Sequence, residues 1–292
     1  MSFLTVISSG DLVGHVDPAR PDPAWVVCDC RFSLSDTAAG ERAYRVGHIP
    51  GARYVHLERD LSGPVSASSG RHPLPARTHL TEVFGRWGIS VRTQVVAYDD
   101  AGGAFAARMW WLLRWLGHER VAVLDGGWQA WVQEGHPVST RIPSVHPALF
   151  EARSPLVQEV GATEVAAALA RQEICLLDAR AGERFRGEVE PVDPVAGHVP
   201  GAVNHPYQEN LTANGRFKSG AELRRSLERR TAGFPPRRVA HMCGSGVTAC
   251  HNLLAMEIAG LVGSRLYAGS WSEWICDPAR PVARGGTGEG DR

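Results

Sequence analysis

The sequence has no excess of either charge and almost no lysine. Among its 292 residues, 31 are Lys or Arg and 31 are Asp or Glu, so the formal net charge is zero, and Lys218 is the one lysine. A chain without a charge excess has no electrostatic reason to bind nucleic acid or an anionic membrane surface. We therefore predict neither nucleic acid nor a membrane as partner.

Long apolar runs and a secretion signal are missing as well. The most apolar run, residues 109–116 (MWWLLRWL), contains an arginine and is far shorter than the roughly 18 residues that a membrane helix needs. The N-terminal segment lacks a basic start followed by an apolar core, so a signal peptide is not expected. These features predict a cytoplasmic protein.

The six cysteines follow neither a disulfide framework nor a zinc-binding pattern. They are residues 28, 30, 175, 243, 250 and 276, and no CxxC occurs among them. Structural zinc sites and small disulfide-rich domains both need closely spaced cysteine pairs, which this chain lacks apart from one CxC. We predict no metal and no organic cofactor.

Three motifs recur in the same order along the chain. VCDCR (27–31) resembles LDAR (177–180), GHIPGA (47–52) matches GHVPGA (197–202), and DGGWQAW (125–131) matches AGSWSEW (268–274). The offsets are 149, 150 and 143 residues, which indicates a duplicated domain. We predict domains at residues 1–138 and 159–283, a linker at 139–158 and a flexible tail at 284–292.

Short apolar runs alternate with helix-like segments in both halves. Residues 25–30, 94–98, 174–177 and 238–242 read as buried strands, whereas 104–116 and 128–134 read as helices. This alternation predicts an α/β fold in which each domain has a mostly parallel sheet with helices on both faces. Binding sites in such sheets form where strands run into helix N-termini.

One cysteine stands at such a junction. Residues 243–248 (CGSGVT) follow a predicted strand and precede a helix-like segment. A loop of small residues can turn several backbone N–H groups inward, and the helix N-terminus adds positive potential. Both would stabilise a thiolate or a persulfide anion, so we interpret Cys243 as a nucleophile rather than an inert buried thiol.

The first half lacks this thiol. The 143-residue offset places Asp100 opposite Cys243, so the first domain is expected to be without catalytic activity. A cysteine phosphatase also uses a strand–loop–helix cradle, but it needs an arginine six positions after the cysteine. Here that position is Ala249, which argues against phosphate chemistry.

Taken together, the motifs resemble those of the tandem rhodanese-domain sulfurtransferases. The resemblance covers about residues 3–283, and the CGSGVT loop is similar to that of the 3-mercaptopyruvate sulfurtransferase type. It implies transfer of a sulfane sulfur from 3-mercaptopyruvate through a Cys243 persulfide to a thiol or cyanide acceptor, with a thioredoxin-like protein as one candidate. A thiosulfate:cyanide sulfurtransferase and a persulfide carrier without turnover remain the alternatives.

The resemblance also implies donor-binding residues. Arg184 is similar to an arginine that holds the donor carboxylate, while the backbone of Gly244, Gly246, Val247 and Thr248 would stabilise charge on sulfur. A second arginine typical of the mercaptopyruvate type is missing from residues 189–194 (VEPVDP), and Arg186 is the candidate to replace it.

A proton relay completes the implied site. Ser245 in the loop would receive a proton from His72, which in turn would be oriented by Glu58, with Asp60 as a nearby competitor.

The remaining repeated residues are predicted to be structural. His48 and His198 occur in both copies although only one copy has the thiol. The paired tryptophans of the third motif (128 and 131, 271 and 274) recur in the same way, at a spacing that puts each pair on one helix face. The resemblance implies that Asp178 and Arg180 brace the active loop. Because Asp29 and Arg31 occur in the first half as well, this unit is at least partly architectural.

Overall fold

The computed structural model describes residues 2–17, 22 and 24–286, which form two compact units. The first unit contains the chain up to Gly63, Leu74–Leu156 and Thr212–Phe217, and the second contains Pro64–Pro73, Val157–Leu211 and the chain from Lys218. Each unit thus includes a short segment from the other half of the sequence. The predicted boundaries at 138 and 159 did not anticipate this exchange, and most of the predicted tail lies outside the described residues.

The first unit alternates short strands and helices. Its strands are β1 (Val6–Ile7), β2 (Trp25–Asp29), β3 (Arg53–Tyr54), β4 (Gln94–Tyr98) and β5 (Val121–Leu124). Its helices are α1 (Ser9–Val13), α2 (Ala39–Val46), α3 (Leu57–Asp60), α4 (Arg77–Arg86), α5 (Ala106–Trp115) and α6 (Gly127–Gln133). The described strands pair in parallel in the order β1-β5-β4-β2-β3.

The second unit repeats this plan. Its strands are β6 (Gln158–Glu159), β7 (Cys175–Asp178), β8 (Val203–Asn204), β9 (Val239–Met242) and β10 (Arg265–Leu266). Its helices are α7 (Ala162–Ala170), α8 (Gly182–Arg186), α9 (Gly220–Arg230), α10 (Ala249–Ile258) and α11 (Ser270–Trp274), with 3₁₀ turns at Tyr207–Asn210 and Pro236–Arg238. The parallel order β6-β10-β9-β7-β8 matches the first sheet strand for strand.

The sheets and the helices that follow their central strands form the cores. Every residue of α5 is buried, and so are eight of the ten residues of α10. Helices that are largely apolar and buried around most of their circumference lie inside a domain, where they cover a sheet face. The predicted α/β fold with parallel sheets is confirmed, and the predicted strand 94–98 coincides with β4.

The three repeated motifs meet in each unit. Arg31 binds the Asp29 carboxylate through Nε and Nη2, donates from Nη2 to the Gly47 carbonyl at 2.6 Å, and lies 4.5 Å from the Trp128 ring centre. Arg180 makes the same contacts with Asp178, the Gly197 carbonyl and Trp271. A buried arginine that is paired, bonded and stacked in both copies serves the architecture.

The two repeated histidines are also structural. Nδ1 of His48 bonds the Tyr44 carbonyl at 2.7 Å, and Nδ1 of His198 bonds the Phe185 carbonyl at 2.8 Å. Both rings are buried against an aromatic neighbour. In the part of the chain that the structure describes, no helix is long and apolar enough to cross a membrane.

Candidate active site

Cys243 lies between β9 and α10 in the second unit. Its side chain is buried, and its Sγ accepts a hydrogen bond from the Gly246 N–H at 3.1 Å. Gly246 has φ +76°, and a Cβ at this position would lie 2.1 Å from the Ala268 carbonyl oxygen. Only glycine can hold this turn, because both the backbone conformation and the close approach exclude a side chain.

The N-terminal turn of α11 is hydrogen-bonded to the backbone of the loop. The Cys243 N–H donates to Ser270 Oγ at 3.0 Å, while the Trp271 N–H donates to the Cys243 carbonyl at 3.0 Å. The Ser272 N–H donates to the Gly244 carbonyl at 2.9 Å. The last two bonds use N–H groups that the helix start would otherwise leave unpaired, and all three preorganise the loop around sulfur.

The other loop residues lead into α10. The carbonyls of Val247 and Thr248 accept the N–H groups of Cys250 and His251, and the helix begins at Ala249. Its N-terminal end therefore lies next to the cysteine loop, where it favours negative charge. The structure shows the Gly246 N–H donating to the Cys243 sulfur. Donation to the sulfur from the N–H groups of Gly244, Val247 and Thr248 stays a prediction.

Ser245 and His72 form a buried pair. Ser245 Oγ lies 2.7 Å from His72 Nδ1, and both side chains are at most 5% exposed. His72 reaches the loop because it belongs to Pro64–Pro73, which packs into the second unit. Folding thus brings together two residues that the sequence separates by 173 positions.

The predicted carboxylate partner belongs to the first unit. Glu58 is an exposed residue of α3. The competing Asp60 accepts the His56 N–H at 2.8 Å and pairs with Arg59. A part for Glu58 in the relay stays a prediction.

Arg184 lies beside the loop and is paired with two acidic residues. Its Nη2 lies 2.6 Å from Glu190 Oε1 and 3.2 Å from Asp193 Oδ2, and both of its Nη atoms lie 3.8 Å from where a Cβ on Gly244 would stand. Burial alone would raise the pKa of Glu190, but the Arg184 hydrogen bond and nearby backbone N–H groups lower it overall. For Asp193, burial raises the pKa despite its arginine partners.

Arg186 is placed differently from Arg184. It is exposed and pairs with Glu188 at 2.7 Å. Its predicted role as a second donor-binding arginine stays a prediction, and its observed partner is a surface carboxylate.

Sequence reasoning missed Arg71. Its Nη2 lies 2.9 Å from where a Cβ on Gly244 would stand, closer than Arg184, and Nη1 pairs with Asp193. The only sequence signal was its position directly before the candidate histidine, His72. Its partner Asp193 is 122 residues away, so the contact depends on tertiary structure.

Arg180 follows β7, the strand that pairs with β9. Burial would lower its pKa, but the charge and hydrogen bonds of Asp178 outweigh that effect, and the pKa is raised. A negative charge on Cys243 would add to this rise, so the Arg180 cation lies within electrostatic reach of the sulfur. Bracing of the active loop by Asp178 and Arg180 stays a prediction.

In the first unit, the residue opposite Cys243 is Asp99 rather than Asp100. Asp29 pairs with Tyr98, as Asp178 pairs with Met242, so the residues after these strands correspond. The Asp99 and Cys243 carbonyls also accept equivalent N–H groups, from Trp128 and Trp271. The 143-residue offset is off by one here because the first copy has one more residue between loop and tryptophan.

Asp99 occupies the anion cradle of its own loop. Its carboxylate accepts four backbone N–H groups at 2.8 Å, from residues 101, 103, 105 and 106. The side chain is fully buried, and this burial raises its pKa against the effect of the four donors. The first loop therefore binds an internal anion where the second presents a thiol.

The other cysteines are mostly buried. Burial raises the pKa of Cys28 to about 12 and that of Cys30 well above its usual value, so both stay protonated. Cys276 is exposed. Among the described residues, no cluster of three or more His, Cys, Asp or Glu side chains is arranged to hold a metal ion.

A cavity of about 450 Å³ lies in the first unit, away from this chemistry. Its lining includes His15, Trp25, Arg53 and Arg141, and it does not include Asp99. It adjoins the amino ends of strands, whereas sites in parallel sheets form at their carboxyl ends. We therefore place the candidate active site at the Cys243 loop.

Comparison with known proteins finds a family that matches both halves of the chain. The rhodanese-like domain family matches residues 17–134 and again 161–276. The chain is 48% identical over 266 residues to a "probable 3-mercaptopyruvate sulfurtransferase" of Pseudomonas aeruginosa, covering 90% of this chain and 94% of that protein. It is 33% identical over 296 residues to the thiosulfate sulfurtransferase of Mus musculus, covering 98% of each.

A solved structure is similar as well. The 3-mercaptopyruvate sulfotransferase SseA of Escherichia coli superposes with a TM-score of 0.78 and 29% identity, covering 92% of this chain and 100% of that one.

Proposed function

The chain belongs to the rhodanese family, and from this premise we propose that it transfers a sulfane sulfur from 3-mercaptopyruvate to a thiol or cyanide through a persulfide on Cys243. The observation that carries the proposal is the buried Cys243 Sγ, which accepts the Gly246 N–H at 3.1 Å in a loop without charged side chains. Such a site stabilises an anionic sulfur without a metal or an organic cofactor.

The first half-reaction begins with attack of the Cys243 thiolate on the donor sulfur. An S–S bond forms, the donor C–S bond breaks, and its electron pair leaves on carbon as the enolate of pyruvate. Arg184 contributes positive charge for the donor carboxylate beside Gly244.

The enolate needs a proton before pyruvate leaves. The Ser245–His72 pair, joined at 2.7 Å, is positioned to deliver it from the loop. In the second half-reaction, an acceptor thiolate or cyanide attacks the outer sulfur and releases the Cys243 thiolate.

The acceptor in the cell is proposed to be a thiol, such as that of a thioredoxin-like protein, in the cytoplasm. All six cysteines are free, which fits a reducing compartment.

The rival donor is thiosulfate, as in the relative from mouse. Thiosulfate is a dianion and would gain more from cationic side chains within the loop, whereas residues 243–248 contain none. This difference favours mercaptopyruvate.

The second alternative is a persulfide carrier. Such a protein would load Cys243 from a partner protein and show negligible turnover with either donor.

Steady-state kinetics with both donors test the proposal. We expect kcat/KM for 3-mercaptopyruvate to exceed that for thiosulfate by more than about tenfold, or about 1.4 kcal/mol of transition-state stabilisation. Mass spectrometry should show one added sulfur atom on Cys243, and Cys243→Ser should abolish both turnover and loading. Cys276→Ser, which removes an exposed thiol, is the matched control and should retain activity.

Other outcomes of these kinetic and loading measurements would contradict parts of the proposal. A preference for thiosulfate would reverse the donor assignment, and loading without turnover would indicate the carrier. Sulfur transfer that persists in Cys243→Ser would refute the mechanism.

A further inference from the structure

The arginines beside the catalytic loop differ in what their guanidinium groups already bind. Nε and Nη2 form the edge of a guanidinium that grips a planar carboxylate with two parallel hydrogen bonds. In Arg180, Nε and Nη2 both bind Asp178, at 3.0 and 2.7 Å. In Arg184 the same edge binds Glu190, with Nε at 3.3 Å and Nη2 at 2.6 Å.

Both of these edges are therefore occupied by carboxylates of the protein. For Arg184 to take a donor carboxylate in two hydrogen bonds, it would have to release Glu190, which is 3% exposed at its side chain. Without Arg184, the buried Glu190 carboxylate would keep only a more distant cation, Arg180 Nη1 at 3.5 Å, so breaking this buried pair is costly. If this pair stays intact, Arg184 can still interact with a donor through Nη1 and through its positive charge near Gly244.

Arg71 has the opposite arrangement. Its Nη1 pairs with Asp193, and its backbone N–H donates to Ser272 Oγ at 3.1 Å. Nε is buried and finds no acceptor among the described residues, and Nη2 finds none in the same part of the chain. An N–H that is buried without an acceptor is unfavourable, so an acceptor brought by a ligand would relieve this cost.

The open edge of Arg71 is also well placed. Nη2 lies 2.9 Å from where a Cβ on Gly244 would stand, and Gly244 directly follows Cys243. A side chain at this position would meet the guanidinium, so glycine keeps the approach to it free. The donor sulfur must lie at Cys243 Sγ, and in a short 2-oxo acid the carboxylate is only a few bonds from that sulfur.

Asp193 holds this arrangement in place. One of its carboxylate oxygens pairs with Arg71 and the other with Arg184, and its side chain is 3% exposed. Its backbone N–H donates to Glu190 at 3.1 Å, which links the three charged groups. Asp193 thereby orients Arg71 through Nη1 and leaves the other edge available.

We propose that Arg71 is the residue that binds the donor carboxylate in two hydrogen bonds, and that Arg184 mainly positions Asp193 and supplies charge. The proposal rests on the proposed function in that the donor is a 2-oxo acid. It assigns to a residue of the 64–73 segment the part that sequence similarity gave to Arg184.

Binding of pyruvate, the carboxylate product, tests Arg71 without turnover. Titration calorimetry would compare a Cys243→Ser parent with the same protein carrying Arg71→Lys, Arg184→Lys or Arg171→Lys. Lysine keeps the charge and can still pair with Asp193, but it lacks the two-bond edge. Arg171 is exposed and pairs with Glu173, so Arg171→Lys is the matched control.

We expect Arg71→Lys to weaken pyruvate binding by about tenfold or more, which corresponds to about 1.4 kcal/mol. Arg184→Lys should weaken it less, and Arg171→Lys should bind like the parent. Parental affinity in Arg71→Lys, a larger loss in Arg184→Lys, or no pyruvate binding by the parent would overturn the proposal. Arg71→Gln is the second variant if the thermal midpoint of Arg71→Lys shows that it is misfolded.

The same variants in the active enzyme separate this proposal from the proposed function. In Arg71→Lys, KM for 3-mercaptopyruvate should rise while loading of Cys243 from inorganic polysulfide, which has no carboxylate, stays unchanged. Equal loss with both donors would indicate a structural role and overturn the proposal. A wild-type preference for thiosulfate would reject the proposed donor, whereas the pyruvate titration would still decide the role of Arg71.

Discussion

The two halves of this protein use the same loop for different purposes. After the central strand β4, four backbone N–H groups surround the Asp99 carboxylate, whereas after β9 a backbone N–H donates to the Cys243 sulfur. Such a strand–loop–helix junction favours an anion. In the first unit the acceptor is a carboxylate that belongs to the fold, and in the second it is the sulfur that we propose to react.

The comparison extends to neighbouring positions. With Asp99 matched to Cys243, Ala101 corresponds to Ser245, and Ala97 corresponds to His241 by strand register. The second unit thus differs from the first in the thiol and the hydroxyl of its loop and in the buried imidazole of the strand before that loop. Each difference can be reversed by a single substitution.

The largest expected effect tests whether the Asp99 anion is structural. Asp99→Asn would leave backbone N–H groups facing an amide in a fully buried site, and we expect a loss of about 3 kcal/mol in the free energy of unfolding of the first unit. Denaturant unfolding measures the loss, and kcat of the folded fraction should stay near the wild-type value. Asp100→Asn, one residue further on, is the matched control.

An unchanged stability in Asp99→Asn would mean that the cradle does not require its charge. A specific loss of kcat in the folded protein would contradict the division into a structural loop and a chemical loop.

An intermediate effect is expected when Ser245 is replaced by alanine, the residue that the first loop has at the corresponding position, Ala101. Ser245→Ala removes the Oγ that lies 2.7 Å from His72, and we expect kcat with 3-mercaptopyruvate to fall by about tenfold to a hundredfold. Persulfide formation from polysulfide should not change, because no enolate is then released. Stopped-flow measurement of pyruvate release checks the first expectation.

If Ser245→Ala slowed loading from both donors equally, the hydroxyl would act on the loop rather than on a proton. Wild-type kcat with 3-mercaptopyruvate would remove Ser245 from the proposed relay.

The smallest expected effect concerns pH. Burial lowers the pKa of His241 to about 3, whereas an unfolded histidine titrates near 6.5. Because the folded pKa is the lower one, the unfolded chain binds the proton first. This group therefore contributes stability above about pH 6.5 that is lost as the pH falls toward 3.

His241→Leu should remove that dependence. We expect the free energy of unfolding of wild type to fall by about 1 kcal/mol per pH unit between about pH 6 and pH 4 on account of His241, and less in the variant. Chemical denaturation at a series of pH values measures both slopes. Parallel curves would show that His241 takes up its proton without unfolding the second unit.

The sequence predicted the fold of this protein well because the sequence patterns that indicate the fold are local. The repeated motifs, the apolar run of β4 and the glycines around Cys243 depend on residues that are close in the chain. The match of Asp100 to Cys243 was wrong because a constant offset cannot reveal a single added residue, whereas hydrogen-bonded strand register can.

The acidic segment at residues 189–194 shows a second limit of prediction from the sequence. From the sequence it was notable for a missing arginine, and Arg186 was the nearest substitute. In the structure Asp193 pairs with Arg71 from another part of the chain, while Arg186 pairs with Glu188 on the surface. Ion pairs across more than a hundred residues follow from packing and leave no mark in local spacing.

The sequence by itself determined the duplicated α/β architecture, the position of the thiol and its glycine-rich loop, because strand patterns, turns and motifs are encoded over short distances. Tertiary structure decided which side chains converge on that loop. It brought His72 to Ser245 and Arg71 to Gly244 by packing Pro64–Pro73 into the second unit. It also decided which guanidinium edges are already occupied, since that depends on where distant carboxylates are buried.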